Sequence, residues 1–198
     1  MDDRDRRVGN TRPKRLVTNE QQLLELGYGY VSRFAVTQAR CRKYLADKIQ
    51  AAIAGGAVRP SEGWRWVDIV LGRLEAVGAL NDARWAEGRA LTLHRRGRAV
   101  RVIARDLAQK GIGAEHAASA TDALTEAAGP DVDPDFVAAV TLARKRRLGP
   151  FGDPAKAKER RVRDMAALAR AGFGFGLARK ILDAPDPDSL LAECGLGR

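Results

Sequence analysis

Residues 80–112, LNDARWAEGRALTLHRRGRAVRVIARDLAQKGI, leave room for little besides two amphipathic helices joined at a glycine. Trp85, Ala86, Ala90 and Leu93 share one broad face of the first helix, and Val100, Ile103 and Leu107 recur at i, i+3 and i+7 on the second. Arg98, Arg101 and Arg105 follow the same spacing but point about 160° away from that apolar stripe. Each helix must bury one side, and the second presents guanidinium groups on the other.

The same period runs through the rest of the chain. Residues 1–18, rich in Asp, Arg, Gly and Pro, offer almost nothing to bury and read as a disordered basic tail. Helices follow over residues 19–35, where Gly27 and Gly29 suggest a bend, over 37–53 with Thr37 as cap, and over 64–77 before Gly78. Residues 57–63 read as a loop, with Trp64 and Trp66 as core and rim aromatics. After the central pair comes an alanine-rich helix over 114–127, broken at Gly129-Pro130. Three further helices are expected over 136–147, 155–171 and 175–184. Asp133-Pro134 and Asp153-Pro154 supply a cap followed by a helix-starting proline, and the pair recurs at Asp186-Pro187.

The central and last thirds correspond residue by residue. Trp85 matches Phe136, and Leu107-Ala-Gln-Lys-Gly111-Ile112 matches Leu168-Ala-Arg-Ala-Gly172-Phe173. Trp85 to Gly111 spans 26 positions and Phe136 to Gly172 spans 36; the difference falls around residues 149–158, in a loop with two prolines. No sustained alternation of β-branched residues marks a strand. The expected fold is all-α: three tandem three-helix repeats over 19–80, 81–129 and 130–185, forming an elongated, curved array, with a short C-terminal tail over 186–198.

Chemistry finds little to work with. His94 and His116 are the only histidines and sit apart from Cys41 and Cys194, so no metal set assembles and no disulfide framework is implied. Ser32, Ser61, Ser119 and Ser189 lack any hint of an activating base. Gly172-Phe-Gly174-Phe-Gly176 has the outline of a phosphate loop, yet no strand precedes it, and it reads as a turn with Phe173 entering the core. Neither an enzyme nor a cofactor is expected. No run of about 18 apolar residues suggests a membrane span and the N-terminus has no hydrophobic signal region, so a cytoplasmic protein is expected.

What remains is positive charge: 35 Lys and Arg against 25 Asp and Glu, a formal net charge of +10. Residues 89–110 hold seven basic side chains against one acidic, and residues 144–163 hold nine against two, at equivalent places in successive repeats. A stripe that recurs along one side of an array favours an anionic partner over a merely solvated surface. The candidate binding residues are Arg96, Arg98, Arg101, Arg105, Arg144, Lys145, Arg146, Arg147, Arg160 and Arg161. Guanidinium forks suit phosphate and carboxylate alike.

Three short motifs, in order, resemble the RecX regulatory proteins. Leu80-Asn-Asp-Ala-Arg-Trp85-Ala86, the Arg96-Gly97 turn and the Ile103-xxx-Leu107-xxx-Gly111-Ile112 end look like that family's central repeat. Arg144-Lys-Arg-Arg-Leu-Gly-Pro-Phe151, Leu168-Ala-Arg-Ala-Gly172-Phe173 and Ala178-Arg-Lys-Ile-Leu182 look like the third repeat of alphaproteobacterial members, and Tyr30-Val-Ser-Arg-Phe through Ile49 fits the first. The family's pattern is departed from at Asn81, at Tyr44 and at Arg98-Ala99-Val100, where it commonly has aspartate, an acidic residue and a glycine-proline pair. The resemblance implies a non-enzymatic regulator, usually an inhibitor, of the RecA recombinase. It would be a monomer lying in the groove of the RecA–DNA filament, modulating its growth, ATP hydrolysis and strand exchange in DNA repair, with some direct contact to single- or double-stranded DNA through phosphates. The alternative reading is an autonomous helix-turn-helix DNA-binding protein, which would need sequence preference and two-fold symmetry.

Overall fold

The computed structural model describes residues 16–195, and the described residues form ten α-helices, two short 3-10 turns and no strand. The expected tail lies outside the described residues as far as residue 15; from there Val17 is already buried. The chain divides into two compact units, one of residues up to 34 with 41–80, the other of residues 35–40 with the chain from 81 onward.

The first unit is built from α1 (Glu20–Val31), most of α2 (Gln38–Ala54) and α3 (Pro60–Ala76). Asn19 caps α1 by accepting from Gln22 N at 2.9 Å. Leu23, Leu45, Ile49, Val67, Val70, Leu71 and Leu74 are essentially fully buried, the helical period having placed them on facing sides. Gly27 lies inside α1 without ending it; a Cβ there would stand 3.1 Å from Leu74 Cδ1 and 3.2 Å from Val70 Cγ1, so the glycine lets α1 approach α3 closely.

Three expectations are corrected here. Helix α1 stops at Val31, leaving Phe34 beyond it and 56% exposed. Helix α3 starts at Pro60, because proline at the first helical position is pre-set for a helix, so residues 60–63 are helical and not loop. That phase turns Trp64 outward, 43% exposed, and buries Gly63 instead.

The second unit contains α4 (Asp82–Arg95), α5 (Val100–Gln109), α6 (Ala114–Ala128), α7 (Pro134–Arg146), α8 (Ala157–Ala171), α9 (Phe175–Leu182) and α10 (Pro187–Glu193). Ala86, Ala90, Ile103, Leu107, Ile112, Ala120 and Leu124 form one core of this unit, flanked by Trp85 and Leu93. A larger core joins Phe136, Val140, Leu142, Leu148, Leu168, Phe173, Ile181 and Leu190, and draws in Ala99 from the α4–α5 connection. Residues expected as a C-terminal tail carry α10, whose Asp186 cap accepts from Ser189 N and whose Leu190 is buried.

The matched hexapeptides prove to be one helix-ending device used twice. Gly111 N donates to Ala108 O and Ile112 N to Leu107 O; Gly172 N donates to Ala169 O and Phe173 N to Leu168 O. Both glycines have positive φ, and Ile112 and Phe173 tuck into their cores. The first helices end in the same way at Gly97 and at Arg147, but Arg147 is the sole non-glycine with positive φ among the described residues, at 54°. An arginine there accepts the left-handed strain that Gly97 avoids.

The ten-residue surplus of the last third forms the 3-10 turns Gly149–Phe151 and Pro154–Lys156, so α8 begins at Ala157. Arg160 holds that loop: its guanidinium donates to Arg147 O at 3.1 Å and to Asp153 O at 3.0 Å. Gly152 leaves room for it, since a Cβ would fall 2.1 Å from Arg160 Nη1.

Candidate basic interface

All ten candidate cations belong to the second unit, and the structure sorts them into two groups. Arg98 Nη1 donates to Arg170 O at 3.3 Å and Arg101 Nε to Gly172 O at 2.5 Å, both at the C-terminal end of α8. Lys145 Nζ donates to Arg95 O at 2.6 Å, at the end of α4. Arg160 holds the loop after α7, and Arg161 pairs with Asp183 at 2.5 Å. Three of these contacts fall on carbonyls that a helix end leaves without intrahelical partners, where the dipole also favours a cation. Along the expected stripe all three arginines are exposed; Arg98 precedes α5, and it and Arg101 each donate to a carbonyl at the end of α8, while Arg105 has no side-chain hydrogen bond or ion pair among the described residues.

Arg96, Arg105, Arg144, Arg146 and Arg147 make up the second group. All five are exposed, and among the described residues none of their side chains has a hydrogen bond or ion pair. Arg96 is the C-cap of α4 and Arg144, Arg146 and Arg147 occupy the end of α7. The Lys145–Arg95 contact draws those two ends together, while a Cβ on Gly97 would stand 2.6 Å from Leu142 Cβ. Arg105 lies one turn along α5 from Arg101 and on the same face. Unpaired guanidinium groups at adjoining helix ends can bind phosphate or carboxylate oxygens through paired N–H donors.

Two adjustments come from outside the candidate set. Arg89, counted in the basic run, is neutralised by its one acid: Nε donates to Asp106 Oδ2 at 2.8 Å and Nη2 to Oδ1 at 3.0 Å. That fork holds the Asp106 carboxyl below the usual carboxylate range. Arg170, outside the candidate set, is exposed in the last turn of α8, with its carbonyl accepting from Arg98. Its last-turn position was the available signal.

Residues 81–120 match the model of the RecX second three-helix domain. The chain is 36% identical over 184 residues to Regulatory protein RecX of Myxococcus xanthus, covering 92% of this chain and 94% of the relative. It is 30% identical over 152 residues to Regulatory protein RecX of Thermobifida fusca, covering 75% and 78%. The match to Regulatory protein RecX of Agrobacterium fabrum is 35% over 106 residues, covering 54% and 53%. No solved structure matches the chain. This all-helical chain belongs to the RecX family of regulatory proteins. No helix among the described residues is long and apolar enough to cross a membrane.

Proposed function

We propose that this chain is a non-enzymatic, cytoplasmic regulator of RecA that docks its basic face on the RecA–DNA filament and slows filament growth and ATP hydrolysis. Arg96, Arg105, Arg144, Arg146 and Arg147 are the contact residues, while Arg98, Arg101, Lys145, Arg160 and Arg161 hold the helix ends and loops that present them. The observation that carries this reading is the group of exposed, unpaired arginines at the adjoining ends of α4 and α7, in a chain of RecX type. The protein acts as a monomer, its repeats run over 19–80, 81–129 and 130–185, and its third repeat is of the alphaproteobacterial kind. The tie of Arg98 and Arg101 to α8 weighs against a helix-turn-helix, which would need those side chains for DNA.

The test is DNA-dependent ATP hydrolysis by the cognate RecA, titrated with substoichiometric amounts of this protein, with naked-DNA binding measured in the same buffer. Suppression at well below one copy per recombinase, at salt that abolishes naked-DNA binding, is the expected result. No effect on RecA, together with tight sequence-selective DNA binding, would replace this reading with the helix-turn-helix one.

A further inference from the structure

Phe175 opens α9 with its side chain 69% exposed, while Phe173, two residues earlier, is buried in the core. Gly174 and Gly176 flank it and open onto free space, so neither neighbour covers the ring. Among the described residues no second ring and no cation stacks on it. A lone exposed apolar side chain is ordinary on a protein surface. The surroundings of this one are not.

The chain reaches Phe175 three residues after Gly172, whose carbonyl accepts from Arg101, and five after Arg170, whose carbonyl accepts from Arg98. Three residues of chain span at most about 10 Å, so the ring and these guanidinium groups share one patch. Arg98 spends only Nη1 on its carbonyl and Arg101 only Nε, and both side chains stay exposed. Each bond fixes a guanidinium in place and leaves its other N–H donors unspent. Arg170 adds a third guanidinium, exposed and without a side-chain partner among the described residues. The two stretches that meet here, residues 88–105 and 165–182, contain no Asp or Glu. Asp135 approaches from α7, but it is half-buried and holds Val100 N. The patch therefore pairs a bare aromatic face with uncompensated positive charge.

We propose that Phe175, with Arg98, Arg101 and Arg170, is a contact site for single-stranded nucleic acid, the ring stacking on a base and the guanidinium groups taking the flanking phosphates. Bases stacked inside a duplex offer no free face to a projecting ring, so the occupant is a single strand. A protein partner would have to bring a cavity for the ring as well as carboxylates, whereas one nucleotide brings a flat face and an anion together. Every base has a π-face, so the site reads no sequence. It lies at other helix ends than the unpaired arginines of α4 and α7 and is measured without RecA, so it stands or falls apart from the function proposed above.

The probe is a fluorescein-labelled oligothymidylate of about 20 nucleotides, titrated with the full chain at about 50 mM salt while anisotropy is followed. Phe175→Ala should weaken binding about fivefold or more, and Phe175→Trp should restore or tighten it. On an abasic strand of the same length, which keeps the phosphates and lacks the bases, Phe175→Ala should bind as the parent does. Arg170→Gln should lower the log–log salt slope by about 0.7, the value for one phosphate of a single strand. The proposal is overturned if the parent does not bind the strand, if Phe175→Ala binds oligothymidylate as well as the parent, or if it loses as much on the abasic strand. An unchanged salt slope in Arg170→Gln, or displacement of the strand by polyglutamate at equal charge concentration, would overturn it as well.

Discussion

Asp135 Oδ1 accepts a 2.7 Å hydrogen bond from Val100 N, so α5 takes its N-terminal cap from α7. The residue at the cap position itself, Ala99, has no side-chain oxygen to offer. The start of α2 is served in the same manner: Gln38 N donates to Asp82 Oδ1, on the first turn of α4, at 2.8 Å. The next contact repeats as well, since Thr37 Oγ1 donates to Lys110 O at the end of α5 and Ala99 N donates to Ala171 O at the end of α8. One rule of attachment, a helix start seated on an aspartate and a helix end, is thus used twice within the second unit.

Asp135→Ala should lower unfolding free energy by about 1–2 kcal/mol, because a cap is lost at a partly buried helix start. Asp135→Asn keeps an acceptor and should cost less than half of that. Urea denaturation of both variants is the check, and an alanine variant as stable as the parent would show that the cap contributes nothing.

Arg147 holds a left-handed backbone with φ 54° where the matching turn has Gly97. Arg147→Gly should raise stability by about 0.5–1 kcal/mol while weakening binding to the RecA filament. Thermal unfolding and filament binding measured on the same sample will separate the two effects. A parallel loss in both would mean that the arginine is a structural residue.

Gly172 combines φ +106° with a close neighbour, a Cβ there falling 2.3 Å from Val102 Cγ2. Gly172→Ala should cost about 2–4 kcal/mol through strain and overpacking. Gly78 has φ +69° with nothing within 4 Å, so Gly78→Ala should cost only about 1 kcal/mol. The gap between the two melting temperatures measures how tightly the α8 end seats on α5.

The Arg89 fork lowers the Asp106 pKa in the folded chain, with a hydrogen bond as its largest cause. A carboxyl depressed on folding stabilises above its unfolded value, and that stabilisation fades as pH falls through the folded value. Between neutral pH and about 5 the pair should add a constant increment of about 1 kcal/mol, declining below about pH 4. Asp106→Asn should flatten this part of the acid limb in denaturation curves taken at several pH values.

Burial pushes the Cys41 thiol up to about 11, in the core of the first unit. Thiolate is the reactive form, so alkylation of Cys41 at pH 8 should be slow in the native chain and accelerate at least tenfold in denaturant. Mass spectrometry of the peptide containing Cys41 reads this directly, and rapid native labelling would mean that α2 opens locally.

The amino-acid order determined by itself that this protein is helical, where most helices run and which residues they bury. Ile103, Leu107, Leu168 and Phe173 are in cores because the 3.6-residue period is a local property, legible from spacing alone. Gly97, Gly111 and Gly172 marked helix ends for the same reason, a left-handed residue being a local need. Tertiary structure alone decided which cations are free. Arg98 and Arg105 look alike along the chain and both are exposed, yet Arg98 donates to a carbonyl 72 residues away and Arg105 has no side-chain partner among the described residues. It also decided that Asp135 and Asp82 cap helices other than their own, and that Asp164 is buried beside a proline-walled pocket. A side chain's partners at long sequence separation depend on how helices dock, and docking is set by the fit of whole faces, which no spacing within one helix records.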